Sequence, residues 1–416
     1  MSVSICGDNL NIVYSQLLNS HCMVTKVVII GQSTVIRLCT ARAVGAAGYS
    51  VDIVRIGRKR GRFFKAPDYF CKFVDNYLYF DETGDISLPD FLVEHYKGFY
   101  QKPVIITLDD KGTHLVDENR FLLNNYFLFA HLRNDGSLSA LMDKHFMKQQ
   151  AESVGLSVVK GWPIFYDGGD FTIPQEVKYP CYVKGLYSYW SSKRIQRKCN
   201  NRTELVELLQ VCKSKYPYSL YAEEYVDIQK EVGIMGISDG KNCIIPAETE
   251  LVVMAEGSSR GVSILGRVRP IDNESDLKRK IEKLLHLLGY VGIFNIDLIT
   301  TNESIVFVEL NLRFATYGYG ICKAGINFPQ IFIGLLNNEL ELNPYDNIEK
   351  ELYYFNEEVA FCDIIERKLG LKRYKEIKNH ADIRFVYSVD DPRPMNRLRI
   401  EFVFRFLLML IKRAGG

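Results

Sequence analysis

Two apolar runs late in the chain, GIFNIDLIT and ESIVFVELNLR, are separated only by Thr301-Asn302 and read as an antiparallel strand pair. Asp297 lies near the end of the first run, and Glu309, Asn311 and Arg313 alternate along the second. A period of two predicts that those three share one face, with Val306, Val308 and Leu310 on the other. Two carboxylates and an amide oxygen converging across a hairpin suit a hard cation such as Mg²⁺, which leaves its other positions to phosphate oxygens and water. An arginine beside them can neutralise a phosphoryl group in transfer. The plainer alternative for this strand is a polar face on a half-buried sheet.

Further cations lie upstream. Lys184 sits inside the short apolar strand YPCYVKG, followed by the polar aromatic loop LYSYWSSK. A buried lysine calls for an anionic partner, and phosphate is one. Lys144 follows Asp143 on an amphipathic helix predicted from Ser137 to Gly155; in isolation it reads as a solvated lysine. AEEYVDIQKE sets Glu223, Glu224 and Glu231 around the end of a strand, where surface charge is the plain reading. Arg260, Arg267 and Arg269 (SSRGVSILGRVRP) could bind a carboxylate or a phosphate, and Lys323 is a weaker candidate.

These residues need a scaffold. KVVIIG (Lys26–Gly31) and SVDIVRIG (Ser50–Gly57) are buried parallel strands around a helix from Ser33 to Gly48, a βαβ unit opening a doubly wound domain. KPVIITLDD is a later strand of that sheet. The turn after the first strand is GQSTVI rather than GxGxxG, which argues against a dinucleotide-dependent oxidoreductase. Downstream, Asn200 to Lys215 reads as a helix with Asn201 as its cap and Glu204 three residues on. A strand follows in SLYAEEYV, then a hairpin around Asp239-Gly240, a helix from Asn273 to Leu288 and a strand in IRFVYSV. Leu398 to Arg413 is apolar on nearly every side. Burial against the body or a second subunit is its plainer reading, and peripheral attachment to an anionic membrane the other.

Composition closes off other classes. Of 416 residues, 52 are Lys or Arg and 50 Asp or Glu, so no basic excess points to nucleic acid. Ten cysteines occur without a CxxC pair or a Cys/His cluster, which predicts reduced thiols in a cytoplasmic protein rather than zinc or a disulfide framework. MSVSICGDNLNIVYS lacks the basic and apolar regions of a secretory signal.

Taken in order, Asp143-Lys144 on a helix, a lone strand lysine before a polar loop, EEYV with a glutamate eight residues after its first, NIDLI and VELNLR resemble the ATP-grasp ligases over roughly residues 120–335. The resemblance implies an α/β chain in which an ATP-grasp fold follows a Rossmann-like parallel-sheet domain. The parts would be residues 1–115 (Rossmann-like), 116–225 (lid region), 226–340 (catalytic) and 341–416 (extension). It also implies that Lys144 and Lys184 contact ATP phosphates from two sides, and that Glu223 with the backbone at Tyr225 and Val226 reads the adenine edge. Glu231 would take the ribose hydroxyls. Asp297, Glu309 and Asn311 would hold Mg²⁺ (or Mn²⁺), Arg313 would face the phosphoryl group, Arg267 would be a second catalytic cation, and Tyr187 to Lys193 would be a flap. Two departures stand out: ELNLR has no proline before the arginine, and Asp297 stands where Glu is common. Neither removes an oxygen ligand.

The activity implied is formation of an amide bond from a carboxylate and an amine through an acyl phosphate. Past Arg313 the sequence is similar to D-aspartate ligase-type enzymes, which attach an amino acid to a cell-wall peptide. The alternatives are a small-metabolite or dipeptide ligase, and a non-catalytic nucleotide-binding regulator. The expected partners are ATP, an amino acid or other carboxylate and an amine acceptor, with no nucleic acid; oligomerisation and membrane contact are left open.

Overall fold

The computed structural model describes residues 25–57, 65–190, 195–258, 261–302 and 304–414. The expected signal-free start of the chain, Lys193 of the flap and Arg260 fall outside these residues.

Elements β1 (Lys26–Gly31), α1 (Thr34–Ala46), β2 (Ser50–Ile56), β3 (Val74–Phe80), α2 (Leu88–Tyr96) and β4 (Val104–Thr107) build a four-stranded parallel sheet in the order β3-β2-β1-β4. β1 and β4 lie at the centre and one edge, and their Val and Ile side chains are buried because helices cover both faces. β3 was not predicted; VDNYLYF is a half-exposed edge strand whose polar residues blur any periodicity. The next helix, α3 (Asp110–Glu118), starts directly beyond β4, with the Asp109 side chain accepting the Gly112 N–H as its cap. The carboxyl ends of β1 and β4 thus present Gly31-Gln32 and Asp109-Asp110 side by side, with the Gln32 N–H donating to Asp109 at 2.8 Å. The crevice outside such strand ends is where open α/β sheets place ligands.

The helix predicted from Ser137 to Gly155 is in fact two. A short turn, Leu138–Leu141, ends at Met142, and α4 (Lys144–Ser153) begins anew because the Asp143 carboxylate accepts the N–H groups of His145 and Phe146. That break aims Lys144, at the first position of α4, inward. A five-stranded antiparallel sheet follows, comprising β5 (Gly161–Tyr166), β6 (Phe171–Thr172), β7 (Cys181–Gly185), β8 (Arg197–Cys199) and, beyond α5 (Arg202–Lys215), β9 (Leu220–Glu224), in the order β6-β5-β9-β7-β8. Asn201 caps α5 through the Glu204 N–H, as the sequence suggests. Val183, Ile164, Leu220 and Ala222 pack under α5, leaving Lys184, Tyr221 and Glu223 on the other face.

The largest sheet takes β10 (Lys230–Asp239), β11 (Cys243–Met254), β12 (Ser263–Pro270), β13 (Tyr290–Thr300) and β14 (Ile305–Asn311), with α6 (Asp276–Leu288) packing Ile281, Leu284 and Leu285 against Ile234, Ile296 and Leu298. After α7 (Gly318–Lys323) and α8 (Phe328–Leu336), strand β15 (Leu352–Phe355) joins the far edge, and the order is β14-β13-β10-β11-β12-β15. The two-residue strand His131–Leu132 pairs with the start of β13. Helices α9 (Glu357–Ile365) and α10 (Leu371–His380) come next, and IRFVYSV yields only the two-residue strand β16 (Ile383–Arg384), parallel to β15. The chain then enters α11 (Arg393–Ala414). Burial is not the fate of α11's second half, whose apolar side chains Ile400, Val403, Phe404, Leu407 and Ile411 are exposed. No helix among the described residues is long and apolar enough to cross a membrane, and their eight cysteines are all free thiols.

Candidate functional site

The predicted hairpin forms, and its register brings the carboxylates together. Asp297 pairs directly with Glu309 across β13 and β14, and Asn295 with Asn311. Asp297 accepts hydrogen bonds from the Asn295 and Asn311 amides, both at 3.1 Å. The expected alternation along β14 is broken, however. The register shifts between Asp297 and Leu298, leaving Val308 as an extra residue against its partner strand. Phe307 therefore joins Leu310 in the core under α6, while Val306 packs with Val159 and Ile299, and Val308 beside them. Val306, Val308 and Leu310 do not share a face, yet Glu309 and Asn311 stay together because the bulge lies before them.

Arg313, just past β14, donates from Nε to Asp110 at 2.7 Å and from Nη2 to the Asn311 amide oxygen at 3.3 Å. Asp110 was not singled out in the sequence. The signal was the Asp-Asp pair closing a parallel strand, at the edge where such sheets bind ligands. Tyr317 was also missed: its ring covers Gly233, where an added Cβ would come within 2.5 Å of it. Gly233 faces Asp297 across β10 and β13. The buried Tyr317 hydroxyl lies against the Asn295 side chain and close to the Asp297 carboxylate, so it belongs to the polar cluster around the hairpin.

Helix α4 wedges between the two antiparallel sheets and carries a cation to each. Buried Lys144 donates to Ser188 Oγ at 2.8 Å and lies 3.5 Å from Glu309. One turn on, Lys148 reaches Glu223 at 2.5 Å, and Lys184 meets the other oxygen of the same carboxylate at 2.9 Å. Lys148 was overlooked, although four residues from Lys144 is the same helical face. Each oxygen of the Glu223 carboxylate thus meets a lysine, an ion-pair role that its expected place at the adenine edge did not foresee. Tyr225 likewise has its N–H taken by the Pro180 carbonyl at 3.0 Å, so of the expected backbone edge the Tyr225 carbonyl and Val226 remain. Glu231, opposite Ile299 and two residues before Gly233, shares the sheet face of Asp297.

Burial acts on every charge here, and neighbours decide the outcome. Burial and then the adjacent Glu309 carboxylate push Asp297 up to about 7. Burial also opposes ionisation of Glu309, but Lys144, Lys184 and Arg313 hold it down to about 2. Burial lowers Lys148 to about 8 despite Glu223, and lowers Lys144 as well. Lys184 is raised, because Glu223 and Glu309 outweigh its burial. Two crowded carboxylates, one reluctant to ionise, are relieved by a cation of higher charge. Among the described residues no cluster of three or more His, Cys, Asp or Glu converges as a metal site. The smaller set of Asp297, Glu309 and the Asn311 amide fits an ion that completes its shell with phosphate and water.

The described part of the expected flap lies against this cluster. Leu186 accepts the Lys144 N–H and Met142 accepts the Ser188 N–H. Tyr189 stacks on His114 of α3, ring centroids 3.7 Å apart at 7°.

Arg267 does not join the site. It lies on β12, and its register through Glu250 and Val232 to Leu298 puts it on the sheet face opposite Asp297, where it pairs with Glu351 at 2.6 Å. Arg269 shares that face and pairs with Glu248. Lys323 lies over the Tyr319 ring instead. RVR alternation is compatible with either face, and only the register across three strands decides between them.

The ATP-grasp domain family matches residues 150–320. The arginine-specific carbamoyl phosphate synthase large chain of Bacillus subtilis (strain 168) is 27% identical over 180 residues, which is 42% of this chain but only 17% of that relative. Among solved structures, biotin carboxylase from Campylobacter jejuni in complex with an ATP analogue aligns with a TM-score of 0.60 and 14% identity over 80% of this chain and 75% of its own. L-amino acid ligase from Bacillus licheniformis aligns with a TM-score of 0.55 and 14% identity over 79% of both chains. At such identities the likeness is one of fold. The chain carries an ATP-grasp domain, in an α/β architecture that sets a Rossmann-like parallel sheet before it.

Proposed function

We propose that this protein is an ATP- and Mg²⁺-dependent ligase that joins a carboxylate to an amine and releases ADP and phosphate. One observation carries the reading: Asp297, Glu309 and Asn311 meet on a hairpin directly across from buried Lys144, with Arg313 at their side and Lys184 close enough to act on Glu309. Asp297, Glu309 and Asn311 would hold the cation, which when bound withdraws charge from the phosphate oxygens. Lys144, Lys184 and Arg313 place three positive charges around the transferring phosphoryl group, in a setting where burial strengthens each of them. A substrate carboxylate oxygen attacks the γ-phosphorus, ADP leaves, and the resulting acyl phosphate is attacked by an amine that loses a proton as phosphate departs. Lys144 donates to Ser188 at the start of the flap, and closure of the flap over the triphosphate would exclude water from the acyl phosphate. Glu231 and Val226 would take the nucleoside end.

The donor would be an amino acid of D-aspartate type and the acceptor a peptide or cell-envelope precursor, in the cytoplasm. The fold shared with an L-amino acid ligase favours dipeptide formation as a second reading. A purely regulatory role is disfavoured by the intact carboxylate pair. The test is ADP release with Mg-ATP across D- and L-amino acids, each alone and with amine acceptors, beside Glu309→Gln. Turnover that needs one amino acid and is abolished in the variant is the expected result. Failure of the protein to bind Mg-ATP would overturn the reading.

A further inference from the structure

The exposed stripe on α11 is the largest feature that the cleft chemistry leaves unused. Ile400, Val403, Phe404, Leu407, Leu408 and Ile411 recur at three- and four-residue spacing and are each 41–66% exposed. At 100° per residue they form one continuous face. The opposite face is anchored: Leu398 is buried, and Phe402 packs on Phe361 with ring centroids 4.4 Å apart. Arg405, exposed and paired with Glu401, flanks the stripe on one side, and exposed Arg399 flanks it on the other. Over Arg393–Ala414 the sequence holds six basic residues and one acidic, although the whole chain carries only +2. A contiguous outward apolar face on a soluble body marks a contact surface, unlike single exposed residues elsewhere.

We infer that α11 docks on an anionic lipid surface, lying in its plane with the apolar stripe in the acyl boundary and the flanking arginines at the headgroups. Charge complementarity selects this occupant. A second copy meeting the same face across a two-fold axis would set one basic helix against another. The stripe from Ile400 to Ile411 is about 17 Å long, too short to span a hydrocarbon core of about 30 Å but suited to lie on it. Long cationic side chains beside an apolar face reach headgroups while their stems stay in the apolar layer.

The test is co-sedimentation of the full chain with vesicles of phosphatidylcholine alone or in equal parts with phosphatidylserine, at low and high salt. Binding to the anionic vesicles only, weakened by salt, is expected. Val403→Asp/Leu407→Asp should weaken it at least about tenfold, since two apolar side chains leave the layer and two charges of the wrong sign arrive. Both positions are exposed, so unchanged circular dichroism and Mg-ATP binding keep the comparison valid. Arg399→Gln/Arg405→Gln should lower the affinity and flatten its salt dependence. Absence of binding to either vesicle, or equal and salt-independent binding to both, would overturn the inference. A dimer in sedimentation velocity that Val403→Asp/Leu407→Asp dissolves would also overturn it, giving the face to a second copy. None of these outcomes touches the cleft, so the ligase reading stands or falls separately.

Discussion

Replacing Glu223 by Gln tests how much the buried charge cluster contributes to stability. Glu223 makes the ion pairs with Lys148 and Lys184, at 2.5 and 2.9 Å, with Glu309 acting on both from farther off, and both lysines are about 95% buried. Removing one partner of a buried ion pair costs about 3–5 kcal/mol, because the charge left behind has lost both water and its counter-ion. The loss has a ceiling. Lys148, already lowered to about 8, can shed its proton, and doing so from an unfolded value of about 10.4 costs about 4.6 kcal/mol at pH 7 but only about 1.9 at pH 9. A lysine whose folded pKa lies below its unfolded value binds fewer protons folded than unfolded, so stability rises with pH through that window. The wild type gains by this route too, through Lys148 and the other lysines that burial lowers; the variant gains more. Glu223→Gln should therefore lose about 3 kcal/mol at pH 7 and recover about 1–2 kcal/mol of the deficit by pH 9. Urea titrations followed by tryptophan fluorescence suit the question, since the chain's two tryptophans, Trp162 and Trp190, lie on or beside the sheet that carries Glu223. A deficit below about 1 kcal/mol at pH 7, or one that widens at pH 9, would refute the reasoning.

Two further substitutions read the carboxylate face. Asp297 has a folded pKa raised to about 7, so its contribution is fully present below about 4 and is lost as pH rises through 7. Asp297→Asn should abolish turnover yet raise metal-free stability by about 1–2 kcal/mol at pH 7.5, with no gain at pH 4, as read by thermal melts across pH. Gly233→Ala puts a methyl group where the Tyr317 ring sits, 2.5 Å away; overpacking of this kind costs about 1–3 kcal/mol. It should also weaken Mg-ATP binding measured by calorimetry, because Tyr317, which lies close to Asp297, must shift.

The legible parts of this molecule were those governed by short-range periodicity. β1 and β2 announce themselves as apolar runs ending in glycine, and the Asp297–Glu309 hairpin follows from two strands joined by a turn. Less local features were not visible. A one-residue bulge at Val308 leaves Glu309 in place but moves its neighbours, and nothing in VFVELN marks it. Asp143 looks like any helical acid until it is seen capping α4 and turning Lys144 inward. Lys148 and Asp110 acquire meaning only from partners 75 and 203 residues away, Glu223 and Arg313. Arg267 failed for the same reason, since a cation on a strand is as compatible with one face as with the other. The exposure of α11 is likewise a tertiary fact: an apolar segment reads as core until no described residue is found covering it.

The central claim is that a carboxylate is activated by phosphoryl transfer, and oxygen labelling tests it most directly. With the donor identified by ADP release and labelled with ¹⁸O in its carboxylate, a single turnover with Mg-ATP and the amine should deliver one labelled oxygen to inorganic phosphate. Glu309→Gln should deliver none. Label appearing in AMP, or phosphate free of label while amide accumulates, would contradict an acyl phosphate formed in this cleft.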